Sequence, residues 1–160
     1  MSPLVYGQID RKAEDAFAGF IDVRRGTLLA DIQIVKGFDV LEKATERIEI
    51  VCARCRMDLA DEVDFNIGNY FCDIDIAYVR HYKSARTASE QKKGKLFDLL
   101  LRDDIVEQLN NAGVRNFHAL GGVIGEGPSW QVNQIENQIL VGDEVQSTLS
   151  GTLYCQPSTP

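Results

Sequence analysis

Between Val145 and Cys155 the chain alternates with a period of two, and this run limits what the rest can become. Val145, Leu149, Leu153 and Cys155 fall on one side of an extended backbone, and Gln146, Thr148, Ser150, Thr152 and Tyr154 fall on the other. Successive strand side chains point to opposite faces, so the pattern buries one face of a sheet and leaves the other in water. The preceding stretch, Trp130 to Ile139, places a polar or amide residue at nearly every second position. That suits a strand beside solvent or beside another chain. Val141-Gly142-Asp143-Glu144 supplies turn chemistry between the two. Residues 114–156 are therefore expected to form two or three strands that close the sheet.

With 160 residues the chain is long enough for one domain with a core of its own. It is read as a single domain over residues 1–160, with loose ends at 1–8 and 157–160. No run approaches the roughly 20 apolar residues that cross a bilayer. Met1 to Tyr6 lacks the basic and then apolar regions of a secretory signal, so no membrane partner is expected. A formal net charge of −7 disfavours sequence-independent nucleic-acid binding, which depends on Lys and Arg neutralising phosphates. It does fit a surface that lets DNA pass without sticking. The four cysteines, Cys52, Cys55, Cys72 and Cys155, are expected as reduced thiols in a cytosol-like compartment.

Upstream, Asp10 can cap a helix that runs to about Val23, with Ala13, Ala16, Phe17, Phe20 and Ile21 on one stripe. Gly26 stands where a C-cap glycine belongs, and Arg24 and Arg25 suit the negative end of the helix dipole. Ile32, Ile34 and Val35 make a short extended run closed by Lys36-Gly37. Leu41 to Glu46 reads as a loop or short helix. Arg47 to Cys55 reads as a strand with Ile48, Ile50 and Cys52 on one face, followed by an acidic connection from Met57 to Asp64. Gly68 to Arg80 is the longest strand signal. Tyr70, Cys72, Ile74, Ile76 and Tyr78 share a face, with Asp73 and Asp75 opposite, which suits a strand paired in the middle of a sheet.

Thr87 and Glu90 have capping-box spacing and predict a helix from about Ala88 to Arg102, with Phe97, Leu100 and Leu101 as its apolar edge. Gly94 within it suggests a tight approach to the sheet. Asp104 can start a second, short helix with Ile105, Val106 and Leu109 inward, ended by Asn110 to Gly113. The fold class that follows is α+β: a mainly antiparallel sheet with two principal helices packed on one face.

The residues that could carry chemistry each have a plainer reading. Cys52-Ala53-Arg54-Cys55 is a C-x-x-C, but a structural zinc needs four ligands, and the other candidates are scattered singly. Within a regular strand, three-residue spacing places Cys52 and Cys55 on opposite faces, so buried thiols are expected and no metal. His81 and His118 are the only histidines, and neither has the spacing of a catalytic triad or a nucleophile elbow. Gly121 to Gly127 lacks the Gly-Lys-Ser/Thr of a phosphate loop and reads as a wide turn. Trp130 at its end either anchors that loop to the core or contacts a partner. Asp61, Glu62, Asp64, Asp73 and Asp75 lack calcium-loop spacing and read as a solvated acidic face.

The order of segments resembles that of the tailed-phage tail terminator, or tail-completion, proteins encoded among head–tail joining genes. The resemblance rests on the N-terminal amphipathic helix, Ile48-Glu-Ile-Val-Cys52, Gly68-Asn-Tyr-Phe-Cys-Asp-Ile-Asp-Ile76 and Leu109-Asn-Asn-Ala-Gly113. Val114-Arg-Asn-Phe117, Ser129-Trp130 and Leu149-Ser-Gly-Thr-Leu-Tyr-Cys155 complete it. It covers about Asp10 to Gln156 and implies a tail-terminator-like α+β fold. It also implies a structural, non-enzymatic virion protein that assembles as a ring, commonly a hexamer, between neck and tail tube. Such a protein is assembled in the host cytoplasm, needs no cofactor, and contacts tail-tube and head-connector proteins. Passing DNA makes only transient contact with the lumen.

Under this reading Trp130, Val132, Gln134, Glu136 and Gln138 are candidates for the contact with copies or partners, since an unshielded strand edge finds use against a neighbour. Asp73, Asp75 and Glu126 are candidates for the lumen surface. Two other readings are a small ligand-binding domain or enzyme using His81, His118 or the cysteines, and a monomeric adaptor that binds one partner by strand addition.

Overall fold

The computed structural model describes residues 9–37, 39, 42–58, 69–110, 118–119, 130–140 and 142–156. The expected loose ends, the acidic residues Asp61, Glu62 and Asp64, and the glycine loop with Glu126 lie outside these residues.

Helix α1 spans Ile9–Arg24. The expected stripe of Ala13, Ala16, Phe17, Phe20 and Ile21 is fully buried, and Ile9 joins it. Asp10 lies inside the first turn instead of ahead of it, and its carboxylate accepts the Arg11 N–H at 2.8 Å. At the other end Gly26 takes φ 62°, the left-handed conformation that ends helices. Arg24 donates to the Phe20 carbonyl at 3.2 Å, and Arg25 donates to the carbonyls of Ala30 at 3.2 Å and Ile32 at 2.7 Å. The two cations thus fix the exit of the helix as well as favouring its negative pole.

Among the described residues six strands form one sheet: β1 Gln33–Lys36, β2 Arg47–Asp58, β3 Asn69–His81, β4 His118–Ala119, β5 Trp130–Leu140 and β6 Glu144–Gln156. Their order is β1-β2-β3-β6-β4, and β5 also pairs with β6. Among the described residues β1 pairs with β2 in parallel and the remaining pairs are antiparallel. β3 is central, between β2 and β6, as its length and two apolar neighbours require. Tyr70, Cys72, Ile74, Ile76 and Tyr78 on β3 meet Ile48 and Ile50 of β2 and Leu149 and Leu153 of β6 in one core under the helices. The chain is α+β, as its periodicities demand.

Helix α2 spans Arg86–Leu100. Thr87 does not cap it: the N-cap is Ala85, with no side-chain hydrogen bond, and Thr87 lies in the first turn. Leu96, Phe97, Leu99 and Leu100 are buried, whereas Leu101 is 50% exposed because it stands at the C-cap, where the helix has ended. Gly94 makes no close approach, since a Cβ there would meet nothing within 4 Å. Helix α3, Ile105–Asn110, buries Ile105 and Leu109 and packs on α1.

The sequence expectation fails most instructively at Cys52 and Cys55. The pairing of β2 with β3 runs Cys52↔Ile74, then Arg54↔Asp73 and Cys55↔Cys72, so Ala53 is an extra residue. This bulge resets the alternation and puts Cys52 and Cys55 on the same face, both packed against the core. A bulge disrupts the local ladder. Here a carboxylate of α1 meets it: Glu14, 1% exposed, accepts the Cys52 N–H at 2.9 Å. Gly37 makes room for this carboxylate, because a Cβ at that position would lie 2.6 Å from Glu14 Oε2.

Candidate assembly surface

β5 occupies one flank of β6, and among the described residues no strand pairs with its other edge. Its first part belongs to the core. Trp130 is buried, its indole N–H donates to the Leu100 carbonyl at 3.0 Å, and its ring lies 4.7 Å from that of Phe17. Leu153 pairs with Trp130, and the diagonal position on β6 must be small: a Cβ on Gly151 would come within 2.5 Å of the Trp130 ring. Trp130 is thus packed into the core of the subunit. Val132, next on the same face, is half-buried against the core.

Asn133 then intervenes as an extra residue, with Val132 opposite Gly151 and Gln134 opposite Ser150. Its amide donates to Thr152 Oγ1 at 3.0 Å. The five expected contact residues therefore do not share a face. Trp130 and Val132 point toward the helices, while Gln134, Glu136 and Gln138 point to the uncovered side and are exposed. The residues that follow Val132 on the helix side are instead Ile135, Asn137 and Ile139. Among the described residues no helix covers them: Ile135 is 51% exposed and Ile139 is 78% exposed. Gly142 and Asp143, at φ 91° and 65°, then turn the chain into β6.

This corner is held rigidly from the other side of the sheet. Arg47 Nη1 meets Glu144 at 2.6 Å, and Arg47 Nε lies 3.3 Å from Glu49. The charge-assisted bond to Arg47 holds the Glu144 carboxyl below its ordinary range. Ser147, buried on β6, donates to Asn137 and ties β5 to its partner.

Asp73 and Asp75 lie on the uncovered face, half-buried, each with a hydroxyl partner across the β3–β6 ladder. Thr152 Oγ1 donates to Asp73 at 3.1 Å and Ser150 Oγ donates to Asp75 at 2.7 Å. Arg54 stands directly opposite Asp73 on β2, so the face carries both signs of charge. With Gln134, Glu136 and Gln138 it forms a broad polar surface.

The histidines do not meet. His81 pairs opposite Glu144 and His118 opposite Gln156, at the two ends of β6. Twelve steps (156 − 144) at about 3.4 Å each separate them by roughly 40 Å. His81 Nδ1 accepts the Lys83 N–H at 3.1 Å and its ring packs beside Tyr82 at 5.0 Å. The His118 side chain lies outside the described residues, as does that of Cys155. Among the described residues no three His, Cys, Asp or Glu side chains converge as metal ligands, and no helix is long and apolar enough to cross a membrane.

Sequence reasoning missed Ile135 and Ile139 as a surface pair and missed both bulges. The signal was present as a change of parity. Ile48, Ile50 and Cys52 give way to Cys55, and Trp130 and Val132 give way to Ile135 and Ile139.

Neither a protein-family model nor a curated protein matches the chain. Among solved structures it is similar to a chain of one described as "Virion of native gene transfer agent (GTA) particle". The TM-score is 0.54 at 12% identity, and the match covers 88% of this chain and 93% of that one. At this identity the likeness is one of fold, and it extends along nearly the whole of both chains.

Proposed function

We propose that this chain is a structural subunit of a phage-type virion. In this reading it forms a ring at the neck or tail that terminates or completes the tail and joins it to the head connector around a lumen for DNA. The observation that carries the reading is the near end-to-end fold likeness to a chain of a gene transfer agent virion. A role built on contact, with no reaction and no cofactor, agrees with where the unused surface lies. The open edge of β5, with Ile135 and Ile139 beside it, suits a head-to-tail contact with the next copy in a ring. The polar face bearing Asp73 and Asp75 is then the candidate for the lumen, where DNA passes with transient contact only. Six copies are expected, with tail-tube and connector proteins above and below.

The test is the mass and shape of the purified chain, alone and mixed with tail-tube protein, by light scattering and negative-stain imaging. Closed rings of the chain are the expected result. A single copy under both conditions, with turnover of a small molecule that is lost in His81→Ala, would replace this reading with an enzymatic one.

A further inference from the structure

Cys55 and Cys72 are directly opposite each other on β2 and β3, with Sγ atoms 3.6 Å apart. Neither cysteine is in a disulfide. Residues directly opposite in an antiparallel pair have Cα atoms about 4.5–5.5 Å apart, inside the roughly 4.4–6.8 Å range that a disulfide spans. Cys52 is one place further along the core face, opposite Ile74, and so stands diagonally from Cys72. Diagonal neighbours are about 7–8 Å apart, too far for a bridge without backbone movement. The bulge at Ala53 creates this arrangement, because without the extra residue Cys55 would face away from Cys72.

We propose that Cys55 and Cys72 are a modification site, a dithiol that a small disulfide such as oxidised glutathione converts into an intrachain disulfide. Cys55 is partly buried and Cys72 fully buried, which divides the roles. The Cys55 thiolate attacks one sulfur of the small disulfide, forms a mixed disulfide and expels one small thiolate, which takes up the proton that Cys55 lost. Cys72 then gives up its proton and attacks the Cys55 sulfur, expelling the second small thiolate. Two protein thiols are oxidised and one small disulfide is reduced to two thiols. The hydrogen bond between the two thiols holds the Cys55 thiol below its usual range, which favours Cys55 as the attacking partner. Oxidation closes a covalent loop from residue 55 to residue 72 and fixes the far end of the β2–β3 pair. The inference stands whether or not the chain forms a ring.

The test treats the full native chain with oxidised glutathione, alkylates the remaining thiols and maps tryptic peptides by mass. Arg54 and Arg56 flank Cys55, so trypsin separates it from Cys52 and the two possible bridges are distinguishable. The expected product joins the Cys55-Arg56 fragment to the fragment containing Cys72, reverses with dithiothreitol, and melts roughly 5–10 °C higher than the reduced chain. Cys72→Ser should halt at a stable glutathione adduct on Cys55, and Cys55→Ser should leave Cys72 unmodified. A bridge from Cys72 to Cys52 or Cys155, or four unmodified thiols after prolonged treatment of the folded wild type, would overturn the proposal.

Discussion

β2 and β5 each carry one extra residue relative to the strand they pair with, Ala53 in one and Asn133 in the other. In both, the apolar residues change parity at the bulge and return to the helix-covered side. What lies above them then differs. Over β2, helix α1 lowers Glu14 onto the Cys52 N–H, and Cys55 beyond the bulge packs on the core. Over β5, among the described residues, no helix packs past Val132, and Ile135 and Ile139 are largely exposed. The same irregularity is consolidated into the fold in one strand and leaves its apolar residues exposed in the other. An apolar side chain costs little when exposed singly, but an apolar pair beside an open strand edge is a site of association.

Truncation before the β5 bulge should have the largest effect on the isolated subunit. Trp130→Ala removes the indole that joins Phe17, Gly151 and the Leu100 carbonyl, and should lower stability by about 3–5 kcal/mol in urea unfolding. A cost near zero would mean that the start of β5 is no more part of the core than its end. At the β2 bulge, Glu14→Ala leaves the Cys52 N–H without its carboxylate, with an expected cost of about 1–3 kcal/mol. Amide hydrogen exchange at Cys52 should quicken in that variant, and unchanged exchange would show that the bulge does not depend on α1.

A third change sharpens the comparison through pH. Glu144 has its pKa depressed in the folded chain by Arg47, below the 4.5 of an unperturbed glutamate. Its contribution to stability is therefore present above pH 4.5 and lost as pH falls through the lower, folded value. The stability gap between wild type and Glu144→Gln should be open at pH 7 and should narrow below about pH 4.5. A gap that is constant across this range would show that the Arg47 bond is not what secures the corner of β5 and β6. The smallest effect on folding belongs past the β5 bulge. Ile139→Asp should change stability by less than about 0.5 kcal/mol, yet abolish self-association measured by light scattering.

Much of this fold was legible in the sequence. The stripe from Ala13 to Ile21, the alternation from Tyr70 to Tyr78 and that from Val145 to Leu153 each state a period, and tertiary packing obeyed them. Single-residue events were harder. Capping-box spacing at Thr87 and Glu90 describes what those side chains can do, but the helix began one residue before Thr87. The sequence suggests a tight contact at Gly94, where a Cβ would meet nothing within 4 Å. The bulges at Ala53 and Asn133 obey no local residue preference, and they reversed the face assigned to Cys55 and split the row Trp130 to Gln138 in two. Glu14 is nearly fully buried and its carboxylate meets the bulge at Cys52, a long-range contact that no local pattern in the sequence announces.

The claim on which the rest depends is that the exposed end of β5 is where one copy of this chain meets the next. A reconstruction of the assembled native particle tests it most directly. The expected image is a closed ring in which a neighbouring subunit lies along the open edge of β5 and covers Ile135 and Ile139. A ring in which both isoleucines face solvent, or a particle holding the chain as a single copy, would contradict it.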